Sequence, residues 1–167
     1  MQDPKSQSRF NFLFKSDAGT IDRPTWWKGT LALGLPLLVA TLIWFVVSPY
    51  THRELTKTSA LVDPIAMGAF FYLLAYAVFV LLVAISFYNL SAKRFRALGL
   101  STGLSGLIPL LALLAGAVHW IVPRSEDGVP MWAAWMMDAL LLLATAYCVW
   151  ELGLRTDKSA GNTEISI

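Results

Sequence analysis

Four long, almost charge-free stretches constrain this sequence more than any other feature. They cover residues 29–50, 64–92, 97–123 and 129–150, and Asp138 is the one charge within them. A helix needs about 20 apolar residues to cross the roughly 30 Å hydrocarbon layer of a membrane, and each stretch is long enough. Only 14% of all residues are charged, against about a quarter in soluble domains. We therefore predict an all-α, integral membrane four-helix bundle.

The stretches divide the chain into three parts. We predict an N-terminal cytoplasmic or interfacial segment over residues 1–25, a four-transmembrane-helix domain over 26–152 and a disordered cytoplasmic tail over 153–167. The first apolar run is longer than the core of a signal peptide, so we expect it to stay as an anchor. The four spans are expected at about 26–48, 65–90, 103–122 and 131–152.

A short apolar cluster at residues 10–14 precedes the first span. It contains three phenylalanines and one leucine, and Arg9 and Lys15 flank it. The cluster is too short to cross a membrane. It predicts either a segment lying in the membrane interface or a short helix packed before the first span.

Lysine and arginine are distributed unevenly between the two sides that four spans create. Five lie before the first charge-free stretch, from Lys5 to Lys28, three in the second loop and two in the tail, whereas the other two loops together hold three. The positive-inside rule then places both termini in the cytoplasm. Clustered cations beside a bilayer also attract anionic headgroups, by about 1 kcal/mol per charge. The candidate contacts for anionic lipid or a partner protein are Arg23, Lys93, Arg94 and Arg96.

Among the residues of the predicted spans, Asp138 has the highest free-energy cost of insertion into a membrane. Insertion of an aspartate at a helix centre costs about 2.5–3.5 kcal/mol, so we expect Asp138 to face the bundle interior, paired or protonated. The short third loop makes spans three and four antiparallel neighbours, which places His119 at a similar depth and predicts a polar pair. The pair could form a proton-linked or ligand site or a structural tie between helices, unless Asp138 simply lies near water.

Glu151 lies at the cytoplasmic end of the fourth span. Three basic residues could reach it, namely Arg23, Lys93 and Arg94. We predict an ion pair at the membrane interface, with a structural role as the favoured interpretation.

The sequence lacks the residues that are characteristic of several classes of function. Cys148 is the single cysteine, so no intrachain disulfide can form and thiol oxidoreductases that use cysteine pairs are excluded. Of the two histidines, His52 falls in a loop, which argues against a haem held between helices. The sequence has no glycine-rich phosphate loop, Ser–His–Asp set or metal-ligand spacing, and its basic residues are juxtamembrane. We expect no cofactor, metal or nucleic-acid partner, and we favour a non-enzymatic role.

Two stretches resemble a known family. "FNFLFKSDAGTIDRPTWW" is similar to the start of the first helix, and "AKRFRALGLSTGLSGLIPLL" to the second loop and following helix, of domain-of-unknown-function family 805. The resemblance covers about residues 9–152. It implies a small four-helix protein of the bacterial inner membrane with no assigned activity. The matching residues are Gly19, Arg23, Trp27, Arg94, Phe95, Gly99, Ser101, Ile108 and Pro109.

The sequence departs from the family pattern at four positions. Thr20 stands where the family tends to have arginine, and Thr102 stands near an expected glycine. Arg96 and Ala97 stand where the family tends to have a His–Asp pair. A site formed by that pair is therefore not implied for this chain.

Three functional hypotheses are compatible with these residues. The first is a non-enzymatic inner-membrane protein that serves as an accessory or scaffold subunit of a larger assembly, with other membrane subunits or itself as partners. The second is a small transporter, or the membrane subunit of one, with Asp138 as coupling group. The third is a protein that binds or senses anionic lipid through the four basic residues named above.

Overall fold

The fold is all-α over the residues that the structure describes. The computed structural model describes residues 10–51, 63–122, 128 and 130–155. Within them 88% of residues are helical, no strand is present, and four helices are long and apolar enough to cross a membrane. The predicted all-α, four-helix class is confirmed, and the chain is a multi-pass membrane protein. The tail predicted as disordered begins at residue 153, but Gly153 and Leu154 belong to a helical segment. Residues 156–167 of that tail and His52 lie outside the described residues.

The helices follow the predicted order along the chain, with short irregular turns at their ends. A π-helical turn precedes the first helix, a 3-10 turn follows it, and a second 3-10 turn leads into the third helix. A π-helical segment continues the fourth. The elements are the turn Asn11–Lys15, α1 (Arg23–Val47), the turn Ser48–Thr51, α2 (Pro64–Ala97), the turn Thr102–Gly106, α3 (Leu107–Ile121), α4 (Met131–Cys148) and the segment Val149–Leu154.

The start of α1 is capped by Asp22. The Thr25 backbone N–H donates a hydrogen bond to Asp22 Oδ1 at 3.3 Å, and the Trp26 N–H donates to the Asp22 carbonyl oxygen at 3.0 Å. Asp is a favoured N-cap because its carboxylate satisfies a helix-start donor. Pro24 lies in the first turn, where its missing N–H costs little. The sequence Asp-Arg-Pro-Thr therefore determines where this helix begins.

α2 extends beyond the span predicted at 65–90 and includes the three basic residues assigned to a loop. Nothing between 90 and 97 interrupts a helix, because Ala, Leu, Lys and Arg all favour helical backbone. Gly99 ends it with φ of 70°. The Leu100 N–H donates to Phe95 O at 2.9 Å and the Gly99 N–H donates to Arg96 O at 3.0 Å. These bonds form a Schellman motif, in which glycine supplies the left-handed residue.

The chain divides into two compact units, Met1–Thr30 with Ile85–Ile167, and Leu31–Ala84. The core of the first unit is a cluster of buried, mostly aliphatic and aromatic side chains. Phe12 and Leu13 pack against it while Phe10 stays 60% exposed, so the segment at 10–14 is a packed helical turn with one outward ring. The buried cluster comprises Ile21, Trp26, Leu90, Phe95, Leu98, Cys148 and Leu152.

In the second unit, hydrogen bonds from hydroxyl groups connect α1 and α2 within their apolar stretches. Tyr72 Oη donates to the Ala40 carbonyl oxygen at 2.5 Å, and the hydroxyls of Thr41 and Tyr76 lie 3.0 Å apart. The Tyr76 ring stacks on Trp44 with centroids 6.4 Å apart. Hydrogen bonds between membrane helices stabilise such a pair modestly, by about 0.6 kcal/mol each.

Candidate functional site

The basic residues at the end of α2 differ in exposure. Lys93 and Arg94 are 0% exposed, whereas Arg96 and the predicted companion Arg23 are exposed. A buried charge is costly unless hydrogen bonds or counter-charges compensate it. In this conformation a lipid headgroup can reach Arg23 and Arg96 but not the two buried side chains.

Asn89 and Lys93 hold the N-terminal segment through its backbone. Asn89 Nδ2 donates to the Phe14 carbonyl oxygen at 2.8 Å. Lys93 Nζ donates to the carbonyl oxygens of Phe12 and of Leu13, the latter at 3.1 Å. The Lys93 ammonium also lies over the Phe12 ring, 4.6 Å from its centroid. The lysine charge is therefore compensated by carbonyl dipoles and an aromatic face.

Arg96 continues this arrangement one turn further along α2. Its Nη1 donates to the carbonyl oxygens of Asp17 at 2.6 Å and Gly19 at 2.8 Å, and its Nη2 lies 3.9 Å from the Asp17 carboxylate. Because residues 89, 93 and 96 are spaced by four and three positions, they share one face of the helix. We call Asn89, Lys93 and Arg96 the donor row, and residues 10–19, which they hold, the strap.

Arg94 points to different carbonyl groups. Its Nε donates to Leu152 O at 3.1 Å, its Nη2 to Arg155 O at 3.0 Å and its Nη1 to Ile21 O at 3.5 Å. The last carbonyls of a helix lack intrahelical partners, and a cation beside them is favoured by the helix dipole. Arg94 thus joins Ile21, two residues before the start of α1, to the end of the helical segment after α4.

Trp27 makes a second connection to the same helix end. Its Nε1 donates to the Gly153 carbonyl oxygen at 3.1 Å. A Cβ at Gly153 would lie 2.7 Å from Trp27 Cζ2, so only glycine allows the indole to approach this closely. Trp27 is therefore a packing and hydrogen-bonding residue here, in addition to the interfacial anchor that its type predicts.

The structure brings His119 and Asp138 together. His119 Nε2 lies 3.0 Å from both Asp138 carboxylate oxygens, across the α3–α4 hairpin. The side chains are 53% and 49% exposed, although we expected Asp138 to face the bundle interior. Asp138 lies seven residues after Met131, about 10 Å along the helix.

Glu151 forms an ion pair, but with a residue that the sequence did not suggest. Arg155 Nη1 donates to Glu151 Oε1 at 2.6 Å, one helical turn away. Since the Arg155 carbonyl oxygen also accepts from Arg94, this pair helps to orient the residue after the helical segment Val149–Leu154 that Arg94 holds. Arg155 was missed because the sequence places it in the tail.

The donor row can hold carbonyl or other oxygen acceptors, and the His119–Asp138 pair links α3 to α4 through hydrogen bonds. Among the described residues no group of three or more His, Cys, Asp or Glu side chains could hold a metal ion. Cys148 is buried in the core of its unit. Asn89 was also missed from the sequence, although its spacing of four from Lys93 was the available signal.

Comparisons with family models, curated proteins and solved structures give no match. The resemblance to domain-of-unknown-function family 805 stays a prediction.

Proposed function

We propose that this protein is a non-enzymatic accessory or scaffold subunit of a larger assembly in a bacterial inner membrane, with both termini in the cytoplasm. The orientation is supported by the excess of lysine and arginine in the N-terminal segment, second loop and tail. The subunit role is carried by one observation: the His119–Asp138 pair is about half exposed on the α3–α4 hairpin.

A half-exposed polar pair inside a membrane span favours a covering partner. Asp138 lies within the membrane-length helix Met131–Leu154, about 10 Å from its start. Polar and ionisable side chains in spans almost always face other helices or water, because hydrocarbon offers them no hydrogen bonds. A second transmembrane helix with a hydrogen-bonding side chain would cover the pair, and such bonds contribute up to about 1–2 kcal/mol.

The experiment is affinity purification of the tagged full chain at native level in mild detergent, followed by protein mass spectrometry. We expect a stoichiometric membrane-protein partner. Replacing both residues of the pair, with His119→Leu and Asp138→Leu, should lower recovery of the partner by roughly fivefold to thirtyfold, from the loss of about 1–2 kcal/mol. Glu151→Gln is the matched control, because it removes a charge that pairs with Arg155, one helical turn away, and not with His119 or Asp138. Absence of a stoichiometric partner for the unmodified chain would overturn the proposal.

The same pair favours a second candidate function, a transporter membrane subunit with Asp138 as coupling group. Ionisable side chains that pair within membrane spans mark proton relays and ion pathways in pumps and transporters. The exchange of the two residues, His119→Asp with Asp138→His, separates the candidates. A scaffold should keep its partner because the pair is preserved, whereas a proton-coupled site should lose transport because the coupling carboxylate has moved to another helix.

A further inference from the structure

We propose that the donor row of Asn89, Lys93 and Arg96 is a phosphate-binding site, which the strap occupies with its own carbonyl oxygens in this structure. The phosphate could belong to a lipid headgroup or be free in solution, since both present the same oxygens. The strap would then be an internal competitor that leaves when phosphate binds.

The first support is the kind of acceptor that the donor row selects. Three side chains of one helix contact five carbonyl oxygens within eight residues of the strap. Apart from the Asp17 carboxylate at 3.9 Å, the polar contacts are to backbone oxygens, so the row recognises a cluster of acceptors. Phosphate presents such a cluster of oxygens together with a negative charge that carbonyl groups lack, so it would add ionic attraction to the charge-assisted hydrogen bonds that Lys93 and Arg96 already donate.

The second support is the charge of Lys93. Within the described residues its ammonium contacts two carbonyl oxygens and the Phe12 ring, and no carboxylate lies at ion-pair distance. The free energy lost when a buried ion pair leaves water is offset only when the two charges are paired with good geometry. Lys93 has carbonyl dipoles in place of a counter-ion. An anion at the row would place a full negative charge beside Lys93, where the structure has only carbonyl dipoles and the Phe12 ring, since the Asp17 carboxylate pairs with Arg96.

The third support is the construction of the strap. Its helical turn is five residues long, and residues 16–22 lack regular structure. Gly19 has φ of 93°, and a Cβ there would lie 2.9 Å from Phe12 Cε2. The strap can therefore separate if it gives up its donor-row hydrogen bonds and the packing of Phe12 and Leu13 on the core, while α1 and α2 keep their backbone hydrogen bonds. Gly19→Ala is a means to weaken the strap while all three donor-row side chains are kept, although the Gly19 carbonyl oxygen is itself one of the acceptors of Arg96.

The test uses the full chain in nanodiscs, with tryptic cleavage after the exposed Lys15 as the measure of strap release. One arm compares phosphatidylcholine with added phosphatidylglycerol, and the other adds inorganic phosphate to phosphatidylcholine discs. We expect faster cleavage in at least one arm, by about fivefold for each cation that binds the phosphate. A response in the first arm alone identifies a lipid headgroup, and a response to inorganic phosphate identifies a soluble source.

Variants connect the response to the donor row. Gly19→Ala should raise basal cleavage and increase retained phosphatidylglycerol or bound phosphate, because the competitor is weakened. Lys93→Gln should abolish the response. If that variant does not fold, Arg96→Gln, at an exposed position, should lower the response about fivefold. Lys28→Gln is the control, since Lys28 is exposed and outside the row.

Two results would overturn the proposal. The first is unchanged cleavage in both arms for the unmodified chain and for Gly19→Ala. The second is a response that Lys93→Gln and Arg96→Gln leave intact, since phosphate would then act elsewhere. Either result would leave the donor row as a structural clamp for the strap.

Discussion

Arg94 shows how this chain buries a guanidinium. Three of its nitrogen atoms donate to the carbonyl oxygens of Ile21, Leu152 and Arg155. The fork of the guanidinium reaches acceptors in several directions, which a lysine ammonium on a flexible stem cannot match. The identity of this residue, and not only its charge, should therefore matter.

We predict that Arg94→Lys destabilises the folded protein by about 2–4 kcal/mol, because buried acceptors lose their donors. Denaturant unfolding in detergent micelles measures this change. Arg96→Lys is the control: its side chain is 39% exposed, so solvent replaces lost contacts and the cost should stay below about 1 kcal/mol. Equal effects of the two substitutions would contradict the structural role assigned to Arg94.

Asp22 provides a pH-dependent contribution at the start of α1. The hydrogen bonds from Thr25 hold the pKa of its carboxyl below the ordinary value. A carboxyl whose pKa is lower in the folded state stabilises that state above the unfolded pKa and loses the contribution as pH falls through the folded pKa. Replacement by asparagine keeps a good N-cap and removes the titration.

We predict that the stability advantage of the unmodified chain over Asp22→Asn shrinks between about pH 5 and pH 3, the range in which an aspartate titrates. Asp22→Ala should cost about 0.5–1 kcal/mol near neutral pH through loss of the cap. Thermal unfolding across this pH range measures both effects. An advantage that does not change with pH would show that the carboxylate charge adds nothing to the cap.

The structure differs from the sequence prediction mainly at the ends of the helices. The four spans were predictable because apolar length is decisive for membrane helices. The His119–Asp138 contact followed from the short connection between α3 and α4. The extension of α2 to Ala97 was missed because charged residues were equated with a loop, although Gly99 marked the stop. The carbonyl partners of the donor row lie more than 70 residues earlier, so no local pattern could reveal them.

Two glycines on different helices should respond oppositely to alanine. At Gly153 an added methyl would lie 2.7 Å from Trp27 Cζ2 and 3.2 Å from Trp26 Cζ3, so Gly153→Ala should cost about 1–3 kcal/mol through overpacking. A Cβ added at Gly116, within α3, would have no atom within 4 Å apart from its chain neighbours and the nearby backbone of its own helix. Gly116→Ala should therefore be neutral or stabilise the helix by up to about 1 kcal/mol. Thermal unfolding in detergent compares the two, and a tolerated Gly153→Ala would contradict the close approach of Trp27.

The Arg94 contacts also constrain the membrane topology of the chain. Ile21 precedes α1, Arg94 lies in the last turn of α2, and Leu152 and Arg155 lie at the end of the last described helix. A single guanidinium can bind all of these carbonyls only if the points lie on one side of the bilayer. Four spans, being an even number, place the residues before α1 and after α4 on the same side. This inference does not depend on the distribution of lysine and arginine.

We therefore predict that reporters fused at the N-terminus and after Arg155 give the same sidedness in cells, and that both are cytoplasmic. The first part follows from the Arg94 contacts, and the second from the positive-inside distribution of lysine and arginine. Paired fusions to a reporter active only in the cytoplasm and one active only outside it measure each part. Opposite sidedness of the two ends would be incompatible with Arg94 holding both Ile21 and Arg155. Shared sidedness outside the cytoplasm would retain the Arg94 connection but reverse the proposed orientation, and the donor row would then face the opposite leaflet.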